Sequence, residues 1–146
     1  MRFNLSHSGR WVAIALAHAR DVGVDIEAMD RLDDWRLLAG RIFSPRERSV
    51  LDALPEPQQR EAFYNGWTRK EAYLKATGEG LTDMLTDIEV TLMPTQEPAL
   101  RGLPAGWGAP RLWTLRAIPL PRDYAGTVAF EKDDPCAGER AHKTSC

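Results

Sequence analysis

Three short stretches hold the side chains able to do chemistry. In "VGVDIE", Asp25 and Glu27 stand two residues apart. On a strand, alternate side chains share a face, so both carboxylates point one way with Gly23, and Val24 and Ile26 point the other. Gly23 leaves room beside the carboxylates. Two carboxylates so close repel unless protons or a cation intervene. A hard divalent ion fits, since Mg²⁺ commonly takes one or two carboxylates together with phosphate oxygens. The same pattern also suits a strand with one wet, acidic face.

The second stretch is "WTRKEAYLKATGEG", residues 67–80. At about 100° per residue, Phe63, Trp67 and Leu74 form one helical stripe. Lys70 falls inside that stripe, while Glu71 and Lys75 lie together on its flank. Glu71 and Lys75 can be read as a helical ion pair worth a few tenths of a kcal/mol, or as part of a polyanion site. Lys70 must either extend its head past the core to water or meet an anion. The third stretch, "NLSHSG", puts Ser6 and His7 where a strand enters its turn. Neighbours on a strand face opposite ways, so they do not make a catalytic dyad by adjacency. Such a turn can hold phosphate oxygens, and it also suits a plain polar hairpin. Together the stretches supply a carboxylate pair, a third carboxylate, two lysines and a hydroxyl-imidazole turn, the inventory for a Mg²⁺-bound pyrophosphate.

The elements that must position these groups can be read in outline. "FNLS" and "WVAIALA" flank a polar turn containing Gly9 and predict a β-hairpin. "VGVDIE" predicts a third strand and "DDWRLLAGRIF" a short helix. "SPRERSVLDAL" opens with Ser44 as N-cap, Pro45 at the first helical position and Glu47 three residues after the cap, a capping box. "PQQREAFYNGWTRKEAYLKATG" predicts the longest helix, ending near Gly78. "DIEVTLM" predicts a strand, 94–110 a loop, and "RLWTLRAI" with "YAGTVAFE" a second hairpin. This order implies an α+β fold, a mostly antiparallel sheet with helices on one face.

The chain's 146 residues, with five tryptophans, suit one domain with a real core. A net charge of −2 without any basic block speaks against nucleic acid and anionic membranes as partners. The longest apolar run is too short to span a bilayer, and no leader pattern precedes the first strand. The two cysteines, Cys136 and Cys146, lie in a polar tail without zinc-site spacing, so a reduced, cytoplasmic setting is expected.

"FNLSHSGRW", "VGVDIE", "FSPRE" and "WTRKEAYLKATGEGL" occur in this order and spacing, and with them the chain resembles the 4′-phosphopantetheinyl transferases, specifically the surfactin-synthetase-activating (Sfp-like) type. The resemblance runs from residue 3 to about 130. It implies transfer of the phosphopantetheine arm of coenzyme A to a serine of an acyl, peptidyl or polyketide carrier protein, with release of adenosine 3′,5′-bisphosphate. It implies that Asp25, Glu27 and Glu71 hold Mg²⁺, that Lys70 and Lys75 contact phosphates, and that Ser6 and His7 bind the nucleotide's phosphate region. Glu71 or a metal-bound water would accept the serine proton, with Lys75 as the second catalytic residue. Members of this type consist of two similar halves. Here residues 1–20 match the last hairpin of a first half, 21–130 form the transferase domain, one half of the usual pseudo-dimer, and 131–146 read as a disordered tail. The uncovered hairpin, with Val12, Ile14 and Leu16, then calls for a homo-oligomer or a separate first-half partner. A catalytically weak remnant that binds carrier protein or nucleotide without turnover is the other reading.

Overall fold

The computed structural model describes residues 1–133 apart from residues 31 and 81. Most of the expected tail, together with both cysteines, lies outside these residues. Strands β1 (Arg2–Ser8) and β2 (Trp11–Ala17) pair antiparallel, from Arg2↔Ala17 to Ser8↔Trp11. Their two-residue turn has Gly9 at φ +57°, the left-handed conformation that tight hairpin turns need at the first position.

Strand β3 (Val22–Ala28) follows, then α1 (Trp35–Ile42), α2 (Pro45–Ala53) and α3 (Glu56–Thr77). The capping box opens α2 as predicted: the Ser44 hydroxyl accepts from the Glu47 N–H, and the Glu47 carboxylate accepts from the Ser44 N–H. Gly78, in the left-handed conformation, ends α3. Two short strands, β4 (Glu89–Val90) and β5 (Leu100–Gly102), precede the closing hairpin of β6 (Trp113–Ala117) and β7 (Tyr124–Glu131). A three-stranded antiparallel sheet runs in the order β3-β7-β6. Strand β7 extends to Glu131, one residue past the expected end of the domain.

Helix α3 lies on this sheet and is buried nearly all round, from Phe63 and Tyr64 to Tyr73 and Leu74. The core joins it to Trp35, Phe43, Ile88, Leu92, Leu115 and Ala129. Gly66 is needed where it stands, because a Cβ there would sit 2.3 Å from Leu92 and 2.7 Å from the Phe43 ring.

One expectation needs correction. The strand expected over 87–93 shrinks to β4, and β5 arises in the stretch read as loop. The Thr91 hydroxyl explains the interruption: it donates to the Glu97 carbonyl and accepts from the Ala99 N–H, turning the chain where a ladder would continue. The first hairpin stays outside the main sheet. It meets β3 through side chains instead, so β3 is covered on both sides rather than having one wet face.

Candidate functional site

Where β3 meets α3 the two backbones touch. A Cβ on Gly23 would stand 2.1 Å from the Ala72 carbonyl oxygen and 2.4 Å from the Ala76 nitrogen, so only glycine permits this approach. The room that Gly23 leaves is therefore filled by the helix. Asp25, two residues along on the same face, is thereby brought against the flank of α3 that carries Glu71 and Lys75.

The Lys75 ammonium donates to Asp25 Oδ1 at 2.8 Å and to the Val24 carbonyl at 3.2 Å. The Ser6 hydroxyl donates to the same Asp25 Oδ1 at 3.2 Å. With Oδ1 taken twice, Asp25 Oδ2 is buried without a hydrogen-bond partner, and so is Glu71 Oε1. Among the described residues these are the two buried side-chain oxygens left unsatisfied. Such atoms are costly unless something else meets them.

The electrostatics agree. Burial pushes Asp25 above its ordinary range despite its bonds to Lys75 and Ser6. Glu71 is pushed up to about 7, first by burial, next by the Asp25 charge and less by Glu27, with Lys75 opposing. Asp25, Glu27 and Glu71 are therefore electrostatic neighbours. Among the described residues no three acidic, histidine or cysteine side chains already stand in a coordination cluster. What the chain presents is two orphaned carboxylate oxygens beside an ammonium, a donor set that suits a hard divalent cation.

Two predicted site residues, Lys70 and Ser6, are placed otherwise. Lys70 is fully buried and does not reach this site. Its ammonium donates to Glu47 Oε2 at 2.7 Å, to the Ile42 carbonyl at 2.7 Å and to the Leu85 carbonyl at 2.9 Å. The anion it meets is thus the capping-box glutamate, not a phosphate. Burial pushes the lysine down and the glutamate up, each against the pull of the other. Ser6 is buried as well, its hydroxyl accepting from the Ile26 N–H at 3.1 Å while it donates to Asp25. That leaves it no face open to a nucleotide phosphate. His7 points to the opposite, exposed side of β1, opposite Val12 in register. Ser6 and His7 therefore do not converge.

Sequence reasoning missed Asn4 and Ser8, and saw in Glu47 the capping role but not the pairing with Lys70. Glu47 also accepts from the Val90 N–H at 2.7 Å, so one carboxylate ties α2 to α3 and β4. Its capping role is a local signal, whereas its partner Lys70 lies 23 residues away. Asn4 and Ser8 share a face with Ser6 by strand alternation, and that period-two run of polar residues was the available signal.

Comparison with known proteins follows the same lines. A model of the 4′-phosphopantetheinyl transferase superfamily matches residues 21–129. The 4′-phosphopantetheinyl transferase HetI of Nostoc sp. is 44% identical over 103 residues, 70% of this chain and 43% of that protein. A 4′-phosphopantetheinyl transferase of Bacillus subtilis is 42% identical over 94 residues, 63% of this chain and 40% of that protein. The chain thus spans less than half the length of these relatives. A crystal structure of a holo-(acyl-carrier-protein) synthase from Bacillus anthracis in complex with CoA (3′,5′-ADP) superposes with a TM-score of 0.63 at 23% identity. It covers 80% of this chain and 100% of that one.

Proposed function

Because the chain belongs to the 4′-phosphopantetheinyl transferase superfamily, we propose that it is the transferase half of an enzyme of the surfactin-synthetase-activating type, moving the phosphopantetheine arm of coenzyme A to a carrier-protein serine. The observation that carries this reading is the pair of buried, unsatisfied oxygens, Asp25 Oδ2 and Glu71 Oε1, beside the Lys75 ammonium. Asp25, Glu71 and Glu27 would hold Mg²⁺. When bound, the ion supplies positive charge against the pyrophosphate, where negative charge grows as the bond to the leaving group breaks.

The remaining work falls to the chain's own groups. Lys75, partly exposed, lies beside Asp25 and offers a cation to the phosphates. The carrier serine oxygen attacks the β-phosphorus, and its proton passes to the Glu71 carboxylate. The bond from that phosphorus to the bridging oxygen breaks, and adenosine 3′,5′-bisphosphate departs with the electron pair. A base in this position contributes on the order of 10²- to 10⁴-fold. Lys70 and Ser6 take no part in phosphate binding on this reading, whereas exposed His7 stays open to it.

The test is to incubate the purified chain with coenzyme A, Mg²⁺ and an apo carrier protein and to read intact mass. A gain of one phosphopantetheine arm, absent with Glu71→Gln, is expected. Transfer at the parent rate by Glu71→Gln overturns the mechanism.

One observation favours a second reading, binding without turnover. Phe3, Val12, Ile14 and Leu16 line one face of the hairpin at 61–73% exposure, and an apolar groove of about 730 Å³ opens between β2 and residues 118–120. Single exposed apolar residues are ordinary, but a contiguous face of them marks an interface. We take its cover to be a separate first-half partner of the kind the family resemblance implies, with self-association as the alternative outcome. No mass gain, with carrier or nucleotide binding retained in calorimetry, supports this second reading. No helix among the described residues is long and apolar enough to cross a membrane.

A further inference from the structure

The edge of β3 that faces the hairpin is closed by an unusual ladder. Its outward N–H groups at Val24, Ile26 and Ala28 are not met by a neighbouring backbone. They donate to Asn4 Oδ1 at 2.9 Å, Ser6 Oγ at 3.1 Å and Ser8 Oγ at 2.9 Å, three alternate side chains of β1. The two serines then do something that Asn4 does not. Ser6 donates to Asp25 Oδ1 at 3.2 Å, and Ser8 approaches Glu27 Oε2 at 3.5 Å. Each hydroxyl accepts one N–H and turns its proton to the carboxylate of the residue just before that N–H. The arrangement repeats at two-residue spacing because both strands alternate with the same period.

We infer that Ser6 and Ser8 are positioning residues, which fix how Asp25 and Glu27 present their oxygens to a divalent cation. The inference rests on the cation reading above. A hydroxyl both donates and accepts, so it can serve an edge amide and a carboxylate at once. At Asp25 the outcome is visible. Ser6 and Lys75 both occupy Oδ1, which sets the rotation of the carboxyl group and leaves Oδ2 as the presented atom. Groups that orient the ligands of a metal commonly change its affinity by 10- to 100-fold when removed. The Ser8 contact is longer and acts more weakly.

The ladder contains its own control, since Asn4 holds the same edge but touches no carboxylate. Mn²⁺ affinity is measured on the whole chain by the electron paramagnetic resonance of the free ion, with melting temperature followed separately without metal. Ser6→Ala is expected to weaken Mn²⁺ binding on the order of ten-fold, and Ser8→Ala by about two- to four-fold. Asn4→Ala should lower the melting temperature yet keep affinity within about two-fold of the parent, as expected for a group outside the ligands' hydrogen-bond shell. In an Asp25→Asn background Ser6→Ala should add no further loss. Should Ser6→Ala unfold, Ser6→Cys, which keeps the volume but only a weak donor, carries the same comparison. Equal losses for the serine and Asn4 variants, or no loss at Ser6, overturn this inference alone. A parent chain that binds no Mn²⁺ overturns the cation reading and this inference with it.

Discussion

Replacing Glu71 by Gln removes one negative charge from a half-buried acidic group, and the metal-free protein should register the change in a defined pH window. In the folded chain Glu71 is pushed from its ordinary 4.5 up to about 7, chiefly by burial and then by Asp25. The folded state therefore keeps a proton that the unfolded state has already released. Between pH 4.5 and 7 the folded form binds more protons, so stability falls as pH rises through this window and levels off above it. At 1.36 kcal/mol per pKa unit the rise corresponds to about 3 kcal/mol. Glu71 is only half-buried, and solvent screening reduces the effect to about 1.5–2 kcal/mol. Glutamine carries no charge, so without metal Glu71→Gln should match the parent below pH 4.5 and exceed it above pH 7.5. For a chain of this size the excess corresponds to about 4–7 °C in melting temperature. Asp25 and Glu47, also raised by burial, slope the same way but remain in both proteins. Subtracting the two curves removes what they share and leaves Glu71 together with its coupling to Asp25. Adding Mg²⁺ at pH 8 should lift the parent and leave the variant nearly unmoved. The measurement is scanning calorimetry at several pH values from 4 to 8.5. Parallel curves for the two proteins would refute the claim that Glu71 is crowded by burial and by Asp25.

The remaining predictions concern the scaffold and the exposed hairpin. Gly23→Ala places a methyl group against α3 backbone that cannot yield, and should cost about 1–3 kcal/mol or more in urea unfolding while weakening metal binding. Lys70→Met strands Glu47 in the core and should cost about 3–5 kcal/mol, while adding Glu47→Gln, which drops the charge but keeps an acceptor for the Ser44 and Val90 N–H groups, should recover part of it. Lys75→Ala should keep the fold and lose transfer, and with the Lys70 result this separates the two lysines that the resemblance assigned alike to the phosphates. The isolated chain should self-associate through Phe3, Val12, Ile14 and Leu16, and Ile14→Lys should reduce this; a sharp monomer peak in light scattering at micromolar concentration would contradict it.

Much of the scaffold was legible because it is written in short-range codes. Ser44, Pro45 and Glu47 mark where α2 begins, Gly78 where α3 ends, and Gly9 where the first hairpin turns, each through backbone geometry that depends on a few neighbouring residues. Alternation along β3 put Asp25 on one face with Gly23, and helical spacing put Glu71 beside Lys75. These relations hold whatever the rest of the chain does.

The partners of those groups were not legible. Nothing in the local pattern of α3 says that Lys70 will find Glu47 and two carbonyls in the core while Lys75, five residues on, finds Asp25. Nor does the "NLSHSG" turn reveal that Ser6 will be spent on Ile26 and Asp25. The sequence by itself determined the elements, their ends and the side-chain faces, because propensity, capping and periodicity act within a turn or two. Only the tertiary structure decided which charges are neutralised and which oxygens, at Asp25 and Glu71, are left to receive something else, because desolvation and hydrogen bonding depend on whatever long-range packing brings alongside.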